Sequence, residues 1–392
     1  MAFVWLGVVM FALVACAVIE RRVRLAGLRG NKRWASPRAD WGFDAERPPV
    51  VSLVARGLAG SARLVRGRTT VRNQSARLRS VGLIVSSIAL ISGLALIPFA
   101  GTWGGGIQDR PLLVVDLPHG LIALVFLVLL MGFAQVGVGL AERSPWSRIG
   151  SVRLASQMLG GLGLFLLVLA PLVLGPTSFR LQDIVSYQQA TFSPLFWLPE
   201  ILEGEIFNIA RTLQWPRWNL FVQPLTAILF LPALYSLTRR PWLGDAMTAS
   251  VGTAALGLDS DPGELYWGRL EARLGEVFAA ALFVSLFLGA GAIPFLPGFE
   301  VVKLIQPLVG FALPALLVVV VGISVFLGKL VVVLLISGAI RRSTARSRRD
   351  QRIRLIALRL LPLAWANLLL VSAMTLLSGG SGALAKSLLG DG

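Results

Sequence analysis

The rest of the chain is arranged around residues 341–367, which read RRSTARSRRDQRIRLIALRLLPLAWAN. It lies between two long apolar runs. Its first fourteen residues contain seven arginines, and Asp350 is the only acid among them. An arginine at the centre of a bilayer costs ~2.5–3.5 kcal/mol even on an insertion scale. The segment 341–354 must therefore be a loop at a membrane surface, and its positive charge indicates the cytoplasmic surface.

The composition is typical of a membrane protein with many spans. Of the 392 residues, 55% are hydrophobic and 15% charged, against ~25% charged in soluble domains. The net charge of +17 would indicate nucleic acid in a soluble protein. Most of it lies in loops between apolar runs, so membrane topology and anionic lipids explain it better and no nucleic-acid partner is expected. One cysteine and one histidine exclude an internal disulfide and a multi-histidine metal site, so no metal site is expected.

Eight apolar runs are long enough to span ~30 Å of hydrocarbon. They lie at about 2–19, 81–103, 112–141, 154–174, 218–237, 276–296, 308–338 and 357–378. The sequence therefore predicts an all-α polytopic membrane protein with about eight transmembrane helices. No internal repeat is evident, so residues 1–392 are expected to form a single membrane domain.

The basic residues are distributed unevenly between alternate loops. The loops 20–79, 142–153, 238–275 and 339–354 contain fifteen, three, four and seven Lys and Arg, whereas the intervening loops and termini together contain six. The positive-inside rule then places the four basic loops, the largest at about 20–79, in the cytoplasm. Both termini are predicted to lie on the outer, periplasmic side.

The basic segment also carries a more particular pattern. Lys329 precedes Arg341 by twelve residues, and the residues that follow in register are Arg346, Arg348, Asp350, Gln351, Arg354, Pro362 and Asn367. This spacing resembles, without a gap, the last cytoplasmic loop and final helix of the subunit 1 family (the H-type subunits) of respiratory complex I and related membrane-bound NiFe hydrogenase complexes. The alternative, an anchor for anionic lipids, explains the arginines but not the Asp-Gln pair or its register.

Weaker resemblances to the same family extend over much of the chain. Glu20-Arg21-Arg22 resembles the start of the family's first cytoplasmic loop, and Arg240-Pro241-Trp242 resembles the start of its acidic loop. Arg153 and Gln157 resemble residues at the start of the fourth helix that face the quinone or proton region. In the thinned acidic loop, the only later cluster of acids is Asp259, Asp261 and Glu264.

One departure from the family concerns a buried acid. Gly160-Gly161-Leu162 stands where the family continues Ser-Tyr-Glu, so the glutamate of the fourth helix is absent. Intramembrane acids are costly and usually functional, so a conventional buried-glutamate proton path is not expected. Glu276, expected at the cytoplasmic end of the sixth helix, is then the best candidate for an acid at membrane depth, with helix-end capping as an equally simple role. Lys329, inside the seventh helix, either serves the function or snorkels.

The resemblance implies a non-catalytic subunit of a complex I-like, redox-driven ion-translocating assembly in the inner membrane of a prokaryote. Such a subunit docks a cytoplasmic electron-transfer arm, made of soluble iron–sulfur and NiFe-hydrogenase-like subunits, to antiporter-like subunits that move protons or sodium. It implies no cofactor held by this chain, with quinone or lipid at its interface. The residues implied in docking are Glu20, Arg21, Arg22, Arg240, Arg341, Arg346, Arg348, Asp350 and Gln351; those of the quinone or proton region are Arg153, Gln157, Asp259, Asp261, Glu264, Glu276 and Lys329.

Two other functions stay open at this point. The first is the quinone-site subunit of an ordinary NADH:quinone oxidoreductase, against which the missing glutamate and the thinned acidic loop count. The second is a free-standing transporter. That function predicts inverted repeats and broken helices with polar residues at the midplane, and the sequence shows none of them.

Overall fold

A computed structural model describes residues 74–99, 102–103, 110–111, 113–142, 145–189, 191–192, 215–238, 262–292, 313–343 and 354–389. Within these ranges the chain forms nine α-helices, one π-helical segment and two antiparallel pairings of two-residue strands. The predicted all-α polytopic fold is therefore confirmed. The first predicted run, 2–19, and nearly all of the basic loop 20–79 lie outside the described residues.

The helices and strands follow one another along the chain without a repeat. The helices are α1 (Gln74–Ala95), α2 (Gly120–Leu140), α3 (Pro145–Leu174), α4 (Leu181–Tyr187), α5 (Asn219–Val222), α6 (Pro224–Thr238), α7 (Pro262–Phe287), α8 (Leu313–Ser343), the π-helix π1 (Ile356–Leu360) and α9 (Leu361–Leu389). The strands are β1 (Thr102–Trp103) paired with β2 (Arg110–Pro111), and β3 (Thr191–Phe192) paired with β4 (Trp215–Pro216).

Five segments in the described part of the chain are long and apolar enough to cross a membrane. They are Arg77–Ala95, Gly120–Leu140, Ser147–Leu174, Val320–Ile340 and Ile356–Thr375. Each of the seven predicted runs from residue 81 onwards overlaps a helix. Two of them fall short of a full apolar span, since α6 has 15 residues and the first half of α7 is charged.

All four predicted basic loops are partly helical. In the loop 20–79 α1 begins at Gln74, and in the loop 339–354 α8 continues to Ser343, so residues 341–343, predicted as part of a loop, are helical. The predicted cytoplasmic loop 142–153 is wrong from Pro145 onwards, where α3 begins, so Arg148 and Arg153 lie on this helix. Similarly, α7 begins at Pro262, fourteen residues before the predicted start of the sixth span. Hydropathy marks the part of a helix that lies in hydrocarbon, and charged residues lengthen a helix beyond it. Proline is favourable at the first helical position, where its missing N–H would have no helical partner.

Helix α7 is the centre of the described packing. It contacts α1, α4, α5, α6 and α8, and no residue from 277 to 287 is more than 8% exposed. These residues are almost all apolar, as expected for a helix surrounded by other helices. Phe287 packs on Phe230 of α6 and on Phe283, with ring centroids 5.0 Å apart in both pairs.

The outer ring of helices presents apolar side chains outward. Leu358 is 72% exposed and Leu369 65% exposed, and the spans of α8 and α9 are the least buried of the five. Exposed leucines on such helices are stable only against lipid or another apolar protein surface. The chain is therefore a multi-pass membrane protein.

Candidate functional site

Among the described residues, two groups of polar residues converge on α7. The glutamate cluster consists of Ser86, Ser87, Gln135, Trp267 and Glu271, where α1, α2 and α7 meet. The lysine cluster consists of Lys329 on α8, the ring of Trp218, and the backbone carbonyls of Leu288, Ala290 and Ala292 after the end of α7.

The carboxyl group of Glu271 is held by side chains from two other helices. Glu271 is 3% exposed. Its Oε2 accepts a hydrogen bond of 2.6 Å from Nε2 of Gln135, and its Oε1 lies within hydrogen-bond reach of Oγ of Ser86. Next to them, the Trp267 indole donates to Oγ of Ser87 over 2.8 Å. Buried polar groups are tolerated when they are paired in this way.

The hydroxyl group of Ser86 has two acceptors within reach. Oγ of Ser86 lies 3.3 Å from the Met131 carbonyl and 3.2 Å from the Gln135 amide nitrogen, in addition to its contact with Glu271. A hydroxyl carries one hydrogen, so Ser86 donates to one of the two acceptors at a time and accepts from Gln135.

Close packing of α1 on α2 brings these side chains together. A Cβ atom added to Gly82 would lie 2.6 Å from Cγ2 of Val138 and 3.0 Å from the Ala134 carbonyl oxygen. Only glycine fits at this crossing, since real Cβ contacts are longer. Small residues at helix crossings are typical of membrane proteins, because they let the backbones approach.

Lys329 is bound by backbone carbonyls. Its Nζ atom donates to the carbonyl oxygens of Leu288 (2.6 Å), Ala290 (3.0 Å) and Ala292 (2.6 Å), and it lies 4.2 Å from the ring centroid of Trp218. An ammonium group has three hydrogens to donate, so all three are used. A lysine near the last carbonyls of a helix also interacts favourably with the helix dipole.

The carbonyls converge because the backbone turns sharply after α7. Gly289 has a φ of 63° and Ala290 a φ of 50°, and an alanine in this region is strained by about 1–3 kcal/mol. Gln188 holds the turn: its Oε1 accepts from the Gly289 amide over 3.1 Å, and its Nε2 donates to the Ser285 carbonyl over 3.1 Å. Asn219 donates to the Leu286 carbonyl over 2.8 Å. These side chains pair groups that the helix end leaves without helical partners.

The structure corrects two interpretations of ionisable residues. Glu276 lies inside α7, fourteen residues after the helix begins, where it pairs with Arg273 at 3.5 Å. Its predicted place at a helix end, and with it the capping role, is therefore wrong. Glu271 is more deeply buried and was missed. It stands in a segment whose composition predicts a loop, and its partners are 136 and 185 positions away. The available signal was the set of polar residues inside apolar runs, Ser86, Ser87 and Gln135.

Lys329 is half-buried and does not snorkel, since its ammonium group is bound inside the protein. It lies near the middle of the span Val320–Ile340. A lysine bound to non-helical carbonyls within a span is the kind of feature that a transporter predicts. No such feature is evident from the sequence, and the structure shows one.

The structure describes only some of the predicted site residues. Arg153 and Gln157 lie on α3, and both are partly buried. Along α7, Glu276 is separated from the carbonyls that bind Lys329 by about 18 Å, at 1.5 Å per residue, so these two residues are not brought together. Glu264 and Arg341 lie on α7 and α8. Outside the described residues lie Glu20, Arg21, Arg22, Arg240, Asp259, Asp261, Arg346, Arg348, Asp350 and Gln351.

Asn367, the last residue of the basic segment's pattern, is buried between helices. Its Nδ2 donates to Oγ1 of Thr226 on α6 over 2.8 Å. Thr226 in turn lies 3.3 Å from Oε1 of Gln223. This contact joins α9 to α6.

An ion pair fastens α4 to the segment before α2. Arg180 donates through Nε over 3.0 Å and through Nη2 to the carboxylate of Asp116. The hydrogen bonds from Arg180 hold the pKa of Asp116 below its usual value. Both side chains are partly exposed, so the pair contributes little to stability in water.

Comparison with known proteins gives one family. A sequence model described as NADH dehydrogenase matches residues 58–250 and 264–372. Two curated proteins from two strains of Cereibacter sphaeroides, each named as the second H-type subunit of NADH-quinone oxidoreductase, are 29% identical to the chain over 224 residues. The match covers 55% of this chain and 60% of each relative, so the chain spans three-fifths of their length.

Proposed function

Since the chain belongs to the family of H-type membrane subunits of NADH-quinone oxidoreductase, we propose that it is the membrane anchor of a complex I-like, redox-driven ion-translocating assembly. In this role it docks a cytoplasmic electron-transfer arm to antiporter-like subunits in the inner membrane of a prokaryote. The observation that carries the proposal is the family match, which runs through the five spans and the basic segment 341–354. The role requires no redox group on this chain.

The basic segment 341–354 is the proposed docking surface for the arm. It connects α8 to π1 and α9, and α9 is fixed to α6 through Asn367. Both ends of the segment are therefore attached to packed helices. In a short loop, Arg346 and Asp350 can form a charge-assisted pair that orients the neighbouring arginines. Charged side chains at the rim of a protein interface act mainly on specificity and on the rate of association.

A second candidate is the quinone-site subunit of an ordinary NADH:quinone oxidoreductase. The names of the two curated relatives favour this candidate over a hydrogenase-type assembly. The buried Glu271 also favours it, since an acid that is almost fully enclosed by helices is available on α7. The missing glutamate at Leu162 and the thinned acidic loop still count against it.

Ion coupling in this subunit is proposed to run through conformation or through neighbouring subunits. Glu271 and Glu276 lie in the first part of α7, and residues 277–284 carry only apolar side chains, all 8% exposed or less. Leu162, at the place of the family's glutamate, packs against the same apolar core. Proton relays need ionisable groups or ordered water along their length. These apolar positions therefore argue against a continuous relay along α7.

The test of the anchor role is purification in mild detergent with a tag on this chain. We expect soluble iron–sulfur subunits and antiporter-like subunits to co-purify. A subunit that oxidises NADH would favour the quinone-site candidate, and a NiFe-type large subunit would favour the hydrogenase-type assembly. A stable, functional homo-oligomer without such partners would show that the chain is a free-standing transporter and would overturn the proposal.

The test of the coupling route is ion pumping by the purified assembly. Leu162→Ala is expected to leave pumping unchanged, because this position carries no proton. Glu276→Gln and Glu271→Gln should reduce pumping if a short polar path uses these residues, and should leave pumping unchanged if no such path exists. A structure with ordered water running through α3, α6 and α7 would refute the absence of a continuous polar path.

A further inference from the structure

We propose that the carbonyls of Leu288, Ala290 and Ala292 form a binding site for a potassium-sized monovalent cation, in which the ammonium group of Lys329 is the resident cation. This inference does not depend on the proposed role in an assembly. It rests on the geometry of the lysine cluster, which is more specialised than a buried lysine needs. A single acceptor and a route to the surface would be enough for a lysine that only snorkels.

The acceptors surround one point from several sides. Three carbonyl oxygens lie 2.6, 3.0 and 2.6 Å from Nζ, and the electron-rich face of Trp218 lies 4.2 Å away. All three distances exceed the 2.0–2.1 Å that magnesium takes. Two of them equal the upper limit of the 2.3–2.6 Å range of calcium and one exceeds it, and the contacts include none of the carboxylates that calcium sites usually contain. Neutral carbonyls at this range suit ammonium and potassium, which are of similar size.

The site is built into the backbone and does not depend on Lys329 alone. The positive φ angles of Gly289 and Ala290 turn the carbonyls inward. Gln188 and Asn219, which do not touch the ammonium group, hold the turn from the other side. Carbonyls at the ends of interrupted helices coordinate free cations in transporters. A preformed ring of carbonyls would therefore accept a free cation when the lysine is absent.

The ammonium group of Lys329 also attaches α8 to the backbone after α7. Within the described residues, Lys329 provides the polar contact of α8 with the backbone after α7, while the rest of this contact is apolar. Loss of the ammonium group would leave three carbonyls to be satisfied, and a free cation would restore them without restoring the link to α8. Comparing the Tm with and without free cation therefore separates two roles of Lys329, which are to fill the carbonyl site and to attach α8 to α7.

The experiment uses the full chain, purified in mild detergent together with any subunits that co-purify. The Tm of wild type, Lys329→Ala and Lys329→Met is measured in potassium, methylammonium and N-methylglucamine chloride at equal ionic strength. Wild type should have the same Tm in all three salts. Lys329→Ala should have a lower Tm in N-methylglucamine and regain at least half of the loss, saturably, in potassium or methylammonium. Lys329→Met fills the space without charge, so its Tm should stay low in every salt.

The control is Ser324→Ala, an exposed position on α8, whose Tm should match wild type in each salt. The proposal is overturned if Lys329→Ala shows no cation-specific recovery, or if Lys329→Met is as stable as wild type. If Lys329→Ala cannot be purified in N-methylglucamine, purification in potassium or methylammonium decides: recovery of folded protein supports the site, and failure in every salt overturns it.

Discussion

Glu271 is buried and Lys329 is half-buried, and the protein satisfies these two ionisable residues by opposite means. Glu271 is held by the side chains of Ser86 and Gln135. Lys329 is held by backbone carbonyls whose position is set by the turn after α7. A single substitution on α1 or α2 therefore changes the surroundings of Glu271. The carbonyl oxygens that bind Lys329 change position only if the backbone moves.

The first prediction concerns the donor to Glu271. Gln135→Ala removes a hydrogen bond to a buried carboxyl group and is expected to lower the free energy of unfolding by about 1–3 kcal/mol. Gln189→Ala, at an exposed glutamine, should change it by less than about 0.5 kcal/mol. Thermal unfolding in the same detergent measures both. Equal effects of the two substitutions would show that the Gln135 bond contributes nothing.

The second prediction concerns pH. Because the pKa of Asp116 is lowered in the folded protein, its pairing with Arg180 stabilises the fold fully above the ordinary pKa of about 3.9 and is lost as the pH falls through the folded value. Wild type should exceed Asp116→Asn in Tm at pH 6, and the difference should vanish as the pH falls below about 4. The corresponding difference in the free energy of unfolding should be small, about 0.2–1 kcal/mol, because the pair is partly exposed. A difference that stays constant with pH would contradict the assigned cause.

At the same scale, the sequence singled out Lys329 but not Glu271. Lys329 interrupts a long apolar run, so hydropathy makes it visible. Glu271 stands among Arg269, Arg273 and Glu276 and looks like part of a charged loop. Its burial results from Ser86 and Gln135, which come from distant parts of the chain. Such a contact depends on how the helices pack, which one sequence does not specify.

At the scale of helices, the existence and order of the spans were predicted from the sequence, whereas several helices begin or end at other residues than the predicted apolar runs. The apolar length of a run is set by the thickness of the bilayer, and every predicted run in the described ranges overlaps a helix. Helix ends depend on capping and on charge pairs such as Arg273 with Glu276. For this reason α3 and α7 begin before their apolar runs.

The third prediction tests the crossing of α1 and α2. Gly82→Ala places a Cβ against Val138, a buried β-branched side chain, and against the Ala134 carbonyl, so it should destabilise the protein by about 1–3 kcal/mol. Gly137→Ala on α2 has no neighbouring atom within 4 Å. It should be neutral or stabilising by up to ~1 kcal/mol, because alanine favours a helix over glycine. Thermal unfolding of both variants is the measurement, and a stable Gly82→Ala would mean that the helices are not this close.

At the scale of the whole molecule, the described helices surround α7 and leave α8 and α9 the most exposed. A lone subunit would present this apolar surface to lipid. In an assembly, part of it would be covered by the neighbouring membrane subunits. The basic segment 341–354 lies between these two helices, so the proposed arm and the proposed membrane partners would meet at the same part of the chain.

The fourth prediction follows from that arrangement. Arg346→Ala and Asp350→Ala are expected to release the soluble arm while this chain stays inserted in the membrane. The measurement is the ratio of soluble to membrane subunits after purification in mild detergent. Arg110→Ala, in an intervening loop that carries none of the docking residues, is the control and should retain the arm. An arm that stays bound and fully active in both variants would show that these residues are only surface charges.

The charged first half of α7 has a consequence for biogenesis. Glu271, Arg273 and Glu276 lie within six residues of one another. A charged side chain at the centre of a span adds ~2.5–3.5 kcal/mol to the free energy of insertion, so only the apolar second half of α7 favours hydrocarbon. Alone, α7 is thus a poor substrate for the translocon. The ribosome delivers α1 and α2 first, with Ser86 and Gln135 ready to receive Glu271. Lys329 is synthesised later, on α8, and binds the carbonyls after the end of α7. The side chains that pair with Glu271 are therefore already made when α7 is inserted, and the lysine that binds its other end follows.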